Sequence, residues 1–222
     1  MNLAIFDLDN TLLAGDSDYL WGRFLIEHGI VDRSQYEDAN AKFFEEYKRG
    51  TLDIEAFLNF ALAPLAAHPM ERLLQWRKHY IEEKINPILL PKARALIEKH
   101  QKAGATLLVI TATNHFVTEP IVRLYGIPNI LATLPESIDG RFTGRFCGIP
   151  CFQDGKVHNL ERWLAKTGHS LENSWFYSDS HNDLPLLKRV DNPVAVDPDD
   201  LLRDFALEMG WPIISLRGGQ DR

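Results

Sequence analysis

Residues 3–9 read LAIFDLD, an apolar run of strand length that ends in two aspartates with one residue between them. A strand buried on both faces is apolar along its whole length instead of alternating, which is how a parallel strand between two layers of helices reads. Polar residues at the carboxyl end of such a strand face the crevice that an open parallel sheet leaves outside its strand ends. Four more runs share the pattern: TLLVITA at 106–112, SWFYSD at 174–179, NPVAVD at 192–197 and WPIISL at 211–216. Helical patterns separate them. Residues 92–103 place Ala93, Leu96 and Ile97 on one face and stop at Gly104, and residues 199–209 follow Pro198. The expected fold class is α/β, a Rossmann-like parallel sheet core with helices on both faces.

Between about Ala14 and Lys84 no strand-like run occurs. YLWGRFLIEHG, YEDANAKFFEEYKRG, IEAFLNFALAPL and MERLLQWRKHYIEEK carry apolar residues at helical spacing with charges opposite. Pro64, Pro69 and Pro87 punctuate this segment. The expected organisation is a core of residues 1–13 and 85–222 with an inserted helical cap at 14–84. The stretch DGRFTGRFCGIPCFQDGK at 139–156 is rich in glycine and aromatics and reads as a β-hairpin or flap.

With 222 residues, 45% hydrophobic and 25% charged, the chain has the composition of an ordinary globular protein. A formal net charge of −7 argues against an electrostatic nucleic-acid or anionic-membrane binder. No run approaches the ~18 apolar residues of a membrane span, and the first residues lack the basic-then-apolar pattern of a secretory signal. A cytoplasmic protein with a small-molecule partner is expected, and oligomeric state is not legible. Cys147 and Cys151 stand four residues apart without a second pair, so they read as reduced loop thiols, not as zinc ligands.

Three polar clusters fall at the carboxyl ends of three expected strands: Asp7 and Asp9, then Thr111, then Asp179 and Asp183. The crevice of a parallel sheet brings such ends together. Several carboxylates in one place repel and would protonate unless a cation compensates them, and hard oxygen ligands without imidazole or thiolate suit Mg²⁺. Magnesium in turn points to a phosphate substrate. An aspartate can then act as nucleophile, provided donors neutralise the phosphoryl charge; Thr111 and Lys156 are the candidates. Blander readings exist for each residue. Lys156 can be a surface lysine opening the helix KVHNLERWLAK, Asp183 can cap LPLLKRV, and His115, His158 and His181 read as loop or helix histidines.

FDLDNT resembles the first motif of the haloacid dehalogenase superfamily of phosphatases, VITAT its second, GKV its third and YSDSHNDLPLL its fourth, all in family order. The helical insertion resembles the cap of that superfamily's phosphoserine-phosphatase-like branch. The resemblance implies that Asp7 attacks phosphorus to give an aspartyl-phosphate and that Asp9 protonates the leaving alkoxide and then activates water. It implies Mg²⁺ on the Asp7 carboxylate, the Asp9 backbone carbonyl and Asp179, supported by Asp183. Thr111, Lys156 and Asn114 would grip the phosphoryl oxygens. Thr11 reads as fixing the turn that carries Asp7 and Asp9.

In that branch the cap sets the ester. Asp16 and Asp18 stand where an acid would meet a substrate ammonium, but Asn59 falls near where an arginine for a substrate carboxylate is expected. NTLLAGDSDYLWGRFL also resembles a bacterial subgroup linked to histidinol-phosphate hydrolysis, whose substrate has an ammonium and an imidazole and no carboxylate. The expected substrate is therefore a small amino-alcohol phosphate, L-histidinol phosphate first, with Trp21 near its ring. Phosphoserine is the runner-up. A phosphotransferase, which acceptor alcohols would reveal, and a non-catalytic phosphometabolite sensor, which would not need a nucleophile paired with an acid, are the alternatives from other classes.

Overall fold

The computed structural model describes residues 2–218. The chain opens with β1 (Leu3–Phe6), buried throughout. Four helices follow, α1 (Ser17–Glu27), α2 (Arg33–Lys48), α3 (Ile54–Ala67) and α4 (Met70–Tyr80), then a π-helical turn at Ile81–Ile85 and a 3₁₀ turn at Asn86–Ile88. Next come α5 (Pro91–Lys102), β2 (Thr106–Asn114), α6 (His115–Leu124), β3 (Asn129–Ile138), β4 (Arg141–Cys147), α7 (Asp154–Thr167) and β5 (Trp175–Ser178). The short α8 (Leu184–Leu187), β6 (Asn192–Val196), α9 (Asp200–Met209) and β7 (Ile213–Ile214) complete the order. The first three insertion helices start at Asp16, Asp32 and Asp53, whose side chains accept backbone N–H groups of the first turn.

The strands form one sheet in the order β4-β3-β2-β1-β5-β6-β7. Every pairing is parallel except β3 with β4. The chain builds outward from β1 first toward β2 and later toward β5, so the order reverses at β1 and opens a crevice at its carboxyl end. Phe6 lies in register with Val109 and Tyr177, which sets the residues just beyond all three side by side.

Side chains alternate between the two faces, as the period of two requires. Leu3, Ile5, Leu108, Ile110 and Phe176 pack with Val157 and Leu160 of α7, Leu186 of α8 and Leu202 of α9. Ala4, Phe6, Leu107, Val109 and Tyr177 pack with Ala93 of α5 and with Val117 and Ile121 of α6. The second cluster runs on into the insertion through Trp21, Phe24, Leu58, Leu62, Leu73 and Tyr80, so the inserted helices share apolar contact with the sheet layer. Among the described residues, no helix is long and apolar enough to cross a membrane.

Two sequence readings need correction. β3 is unannounced because NILATLPESI breaks its apolar run with Pro135, Glu136 and Ser137; it lies parallel to β2 in its first half and antiparallel to β4 in its second. The hairpin is accordingly Leu134–Ile138 against Arg141–Cys147, and 139–156 contains only its turn and second arm before α7 begins. Pro64 lies inside α3, within the helical run read from the sequence.

Candidate active site

Asp7 and Asp9 follow β1 directly and both are buried. On one side, Lys156 in the first turn of α7 places its Nζ 2.7 Å from Asp7 Oδ1 and 2.8 Å from Asp183. Lys156 is 2% exposed, so it is no surface lysine; its two carboxylate partners outweigh the cost of burial and keep it protonated. Asp183, in the turn before α8, also accepts from the Ser178 hydroxyl at 2.7 Å. Burial pushes the Asp7 carboxyl up to about 7, opposed by Lys156 and reinforced by the charges of Asp183 and Asp9.

The Asp9 carboxylate is held at both oxygens. Oδ1 accepts from the Ser17 backbone N–H at 2.7 Å and Oδ2 from the Thr113 hydroxyl at 2.8 Å. Burial and the Asp16 charge push its carboxyl up to about 7, against those two donors. Thr113 → Val keeps the shape and removes a hydrogen bond worth about 1.5–3 kcal/mol to a charged acceptor. For the acid and base role that the sequence resemblance implies for Asp9, the expected result is a roughly 10–100-fold lower kcat with KM little changed, read by steady-state phosphate release.

Thr11 does not brace the turn between Asp7 and Asp9. Its hydroxyl donates to Asp179 Oδ1 and accepts the Asp179 backbone N–H, both at 3.0 Å, and so ties the β1 loop to the tip of β5. Burial and the charges of Asp7 and Asp183 push the Asp179 carboxyl well above the usual carboxylate range. Thr111 is buried at the site, with its hydroxyl accepting the Thr113 N–H at 3.3 Å.

Over this floor lies a cleft lined by Asp7, Asp9, Thr111 and Thr113. Its far wall comes from the insertion: Asp16, Asp18 and Tyr19 at the start of α1, Asn40, Phe43, Phe44 and Tyr47 of α2, and Leu52, Ile54 and Phe57 at and before the start of α3. Burial pushes both the Asp16 and Asp18 carboxyls up to about 7, with neighbouring aspartates adding to it. Neither forms an ion pair among the described residues; Asp16 accepts only the Tyr19 N–H that starts α1. One polar contact between the wall and the core runs through Asn182. Asn182 donates to the Tyr47 carbonyl at 3.0 Å and accepts from Gln153 Nε2 at 3.0 Å. Gly50 adopts φ +69°, and a Cβ there would lie 2.6 Å from His181 Nε2.

The structure brings together Asp7, Asp9, Thr111, Lys156, Asp179 and Asp183, and adds Asp16 and Asp18 opposite. Three other candidates fall elsewhere. Asn114 caps α6, its Oδ1 accepting the Val117 N–H at 3.1 Å; it does not line the cavity. Trp21 packs in the core, stacked on Phe24 and edge-on to Tyr80. Asn59 is exposed, because Leu58 faces the core and each helical step turns about 100°; Phe57, one step the other way, meets the cavity. His158 is exposed, and His181 pairs its Nδ1 with Asp199 at 2.8 Å. Sequence reasoning missed Thr113, Ser17, Tyr19 and Tyr47. Only Thr113 carried a signal, since a strand residue two beyond Thr111 points the same way.

The profile of the haloacid dehalogenase-like hydrolases matches residues 4–188. The chain is 47% identical over 220 residues to a histidinol-phosphatase of Neisseria meningitidis serogroup C, covering 97% of this chain and 99% of that one. It is 35% identical over 217 residues to a phosphoserine phosphatase of Mycobacterium tuberculosis, covering 96% of this chain and 70% of the relative. A crystal structure of a protein of unknown function from Bordetella pertussis Tohama I superposes with a TM-score of 0.92 at 43% identity, over 97% of this chain and 99% of that one.

Proposed function

The chain belongs to the haloacid dehalogenase-like hydrolase family, and we propose that it is a magnesium-dependent phosphatase acting through an aspartyl-phosphate on L-histidinol phosphate. The observation that carries the substrate is the cavity wall opposite Asp7. Among the described residues, Asp16 and Asp18 lack cationic partners there, Tyr19, Phe43, Phe44 and Phe57 line the same cavity, and no arginine or lysine does. An ammonium or imidazolium would relieve the two acids and face the aromatic rings favourably. A substrate carboxylate would find like charge instead of a bidentate partner. In this reading residues 14–84 act as the cap and 1–13 with 85–222 as the core.

In the chemistry proposed, an Asp7 carboxylate oxygen attacks phosphorus in line while the bond from phosphorus to the ester oxygen breaks. Asp9 gives its proton to the departing oxygen. Asp9, now ionised, then takes a proton from water as that water attacks the phosphorus on Asp7, and the Asp7 oxygen leaves with its electron pair. A carboxyl near neutrality suits both directions. Lys156, already 2.7 Å from Asp7, lies within reach of a phosphoryl group carried there, and Thr111 lines the same floor.

Among the described residues, no three His, Cys, Asp or Glu side chains form a cluster fit to hold a metal ion. Magnesium takes one or two carboxylates plus phosphate oxygens and keeps several waters. Asp7, the Asp9 carbonyl and Asp179 supply such a set, and with Lys156 as the one cation paired to Asp7 and Asp183 among the described residues, the added charge of Asp179 favours a second cation beside them. When bound, the ion would neutralise charge on the phosphoryl oxygens.

The test is the ratio of kcat/KM for L-histidinol phosphate and phosphoserine, measured with Mg²⁺. Like-charge juxtaposition costs several kcal/mol, so a preference of about 100-fold or more for histidinol phosphate is expected. Equal or reversed efficiency would reject the substrate assignment and favour a serine-type ester.

A further inference from the structure

The far end of the described chain returns to the loop that carries Asp7 and Asp9. Beyond β7, the backbone N–H groups of Leu216 and Arg217 both donate to Asp197 Oδ2, at 3.0 and 3.4 Å. Asp197 follows β6 and adopts φ +42°. From this anchor the Arg217 guanidinium reaches Asn10: Nη2 donates to the Asn10 carbonyl at 3.0 Å and lies 3.4 Å from its Oδ1. Asn10 itself adopts φ +58°, and its N–H donates to the Gly15 carbonyl at 2.9 Å. The left-handed region is unfavourable for a non-glycine residue, though asparagine tolerates it best, so external bonds are needed to make it the only state.

Asn10 links the two working parts of the loop. On one side is Asp9, with its carbonyl and carboxyl; on the other is Thr11, whose hydroxyl holds Asp179 at 3.0 Å. A turn of the Asn10 backbone would therefore re-aim the Asp9 carbonyl and pull Thr11 from Asp179 together. We propose that Arg217 is a positioning residue for the phosphatase site: it locks Asn10, and through Asn10 the Asp9 carbonyl and Asp179. The inference rests on the reading of Asp7, Asp9 and Asp179 as that site. The strap lies beyond the stretch matched by the family profile, which ends at residue 188. Both contacts come from the one Nη2 nitrogen, so a lysine ammonium that reached the same place could replace part of them.

A cation near a metal site can also act through space, and the two effects have opposite signs. Removing a positive charge beside an anionic cluster strengthens Mg²⁺ binding by Coulomb's law; losing a positioning bond weakens it. The experiment is calorimetric titration of Mg²⁺ alone into the native protein, Arg217 → Met and Arg217 → Lys, with kcat, KM and Tm for each. For Arg217 → Met the expected result is about 10-fold weaker Mg²⁺ binding and about 10-fold lower kcat. KM and Tm should be little changed, and Arg217 → Lys should recover part of both losses. Unchanged or tighter Mg²⁺ binding in Arg217 → Met would overturn the proposal, as would losses that merely track a fall in Tm. If the native protein hydrolysed no ester while Arg217 → Met still weakened Mg²⁺ binding, the strap would stand and the phosphatase reading would fall.

Discussion

Asp7 → Asn is expected to lower phosphate release by about 10⁴-fold or more, the scale seen when an attacking group is removed. Asparagine keeps the shape of the side chain but offers no carboxylate to attack phosphorus. The fold should survive, because Lys156 retains Asp183 as its partner and the substitution removes a buried carboxyl that burial has already pushed up to about 7. Equal or higher Tm with lost turnover is the expected pair of results. Retained turnover would show that another group makes the bond to phosphorus. Lost turnover with collapsed stability would leave a structural role for Asp7 in place of the chemical one.

Lys156 → Met should damage both activity and stability. The ammonium bridges Asp7 and Asp183, and all three side chains are almost fully enclosed. Methionine matches much of the volume but leaves two buried acids facing each other. Breaking a buried pair by deleting one partner costs about 3–5 kcal/mol, or roughly 6–20 °C in Tm for a chain of this size. Adding Asp183 → Asn removes one of the stranded charges. The double variant should regain part of the stability and none of the turnover, because the cation at the phosphoryl position is still missing. Thermal unfolding of the two singles and the double checks this. A Lys156 → Met protein as stable as the native one would mean that the bridge is not the compensating pair described here.

The reach of the sequence was set by how local each signal is. β1 and its two aspartates were legible because a continuous apolar run and the residues that end it lie within seven positions. The insertion helices were legible for the same reason, each carrying its own periodicity and, in three cases, an aspartate cap. The convergence of Asp7, Thr111 and Asp179 followed from strand order, which α/β wiring largely dictates. β3 was hidden by its mixed composition at the change from parallel to antiparallel pairing.

Side-chain partners across the sheet were beyond sequence reasoning. Thr11 was given a local task, yet its bond spans 168 positions. Helix phase accounts for Trp21 and Asn59. In α1 the core takes Trp21, Phe24 and Leu25, and the cavity takes Asp18 and Tyr19. Nothing short of the packed structure says which of two aromatic faces turns inward. In α3 the choice between Phe57 and Asn59 is the choice between the two sides of Leu58.

The most direct test of the account is a rapid acid quench of the native protein during turnover of L-histidinol phosphate with Mg²⁺, followed by mass analysis of its peptides. A covalent aspartyl-phosphate requires one added phosphoryl group on the peptide bearing Asp7, absent in Asp7 → Asn. Turnover with no phosphorylated peptide, or with the label on another residue, would contradict it.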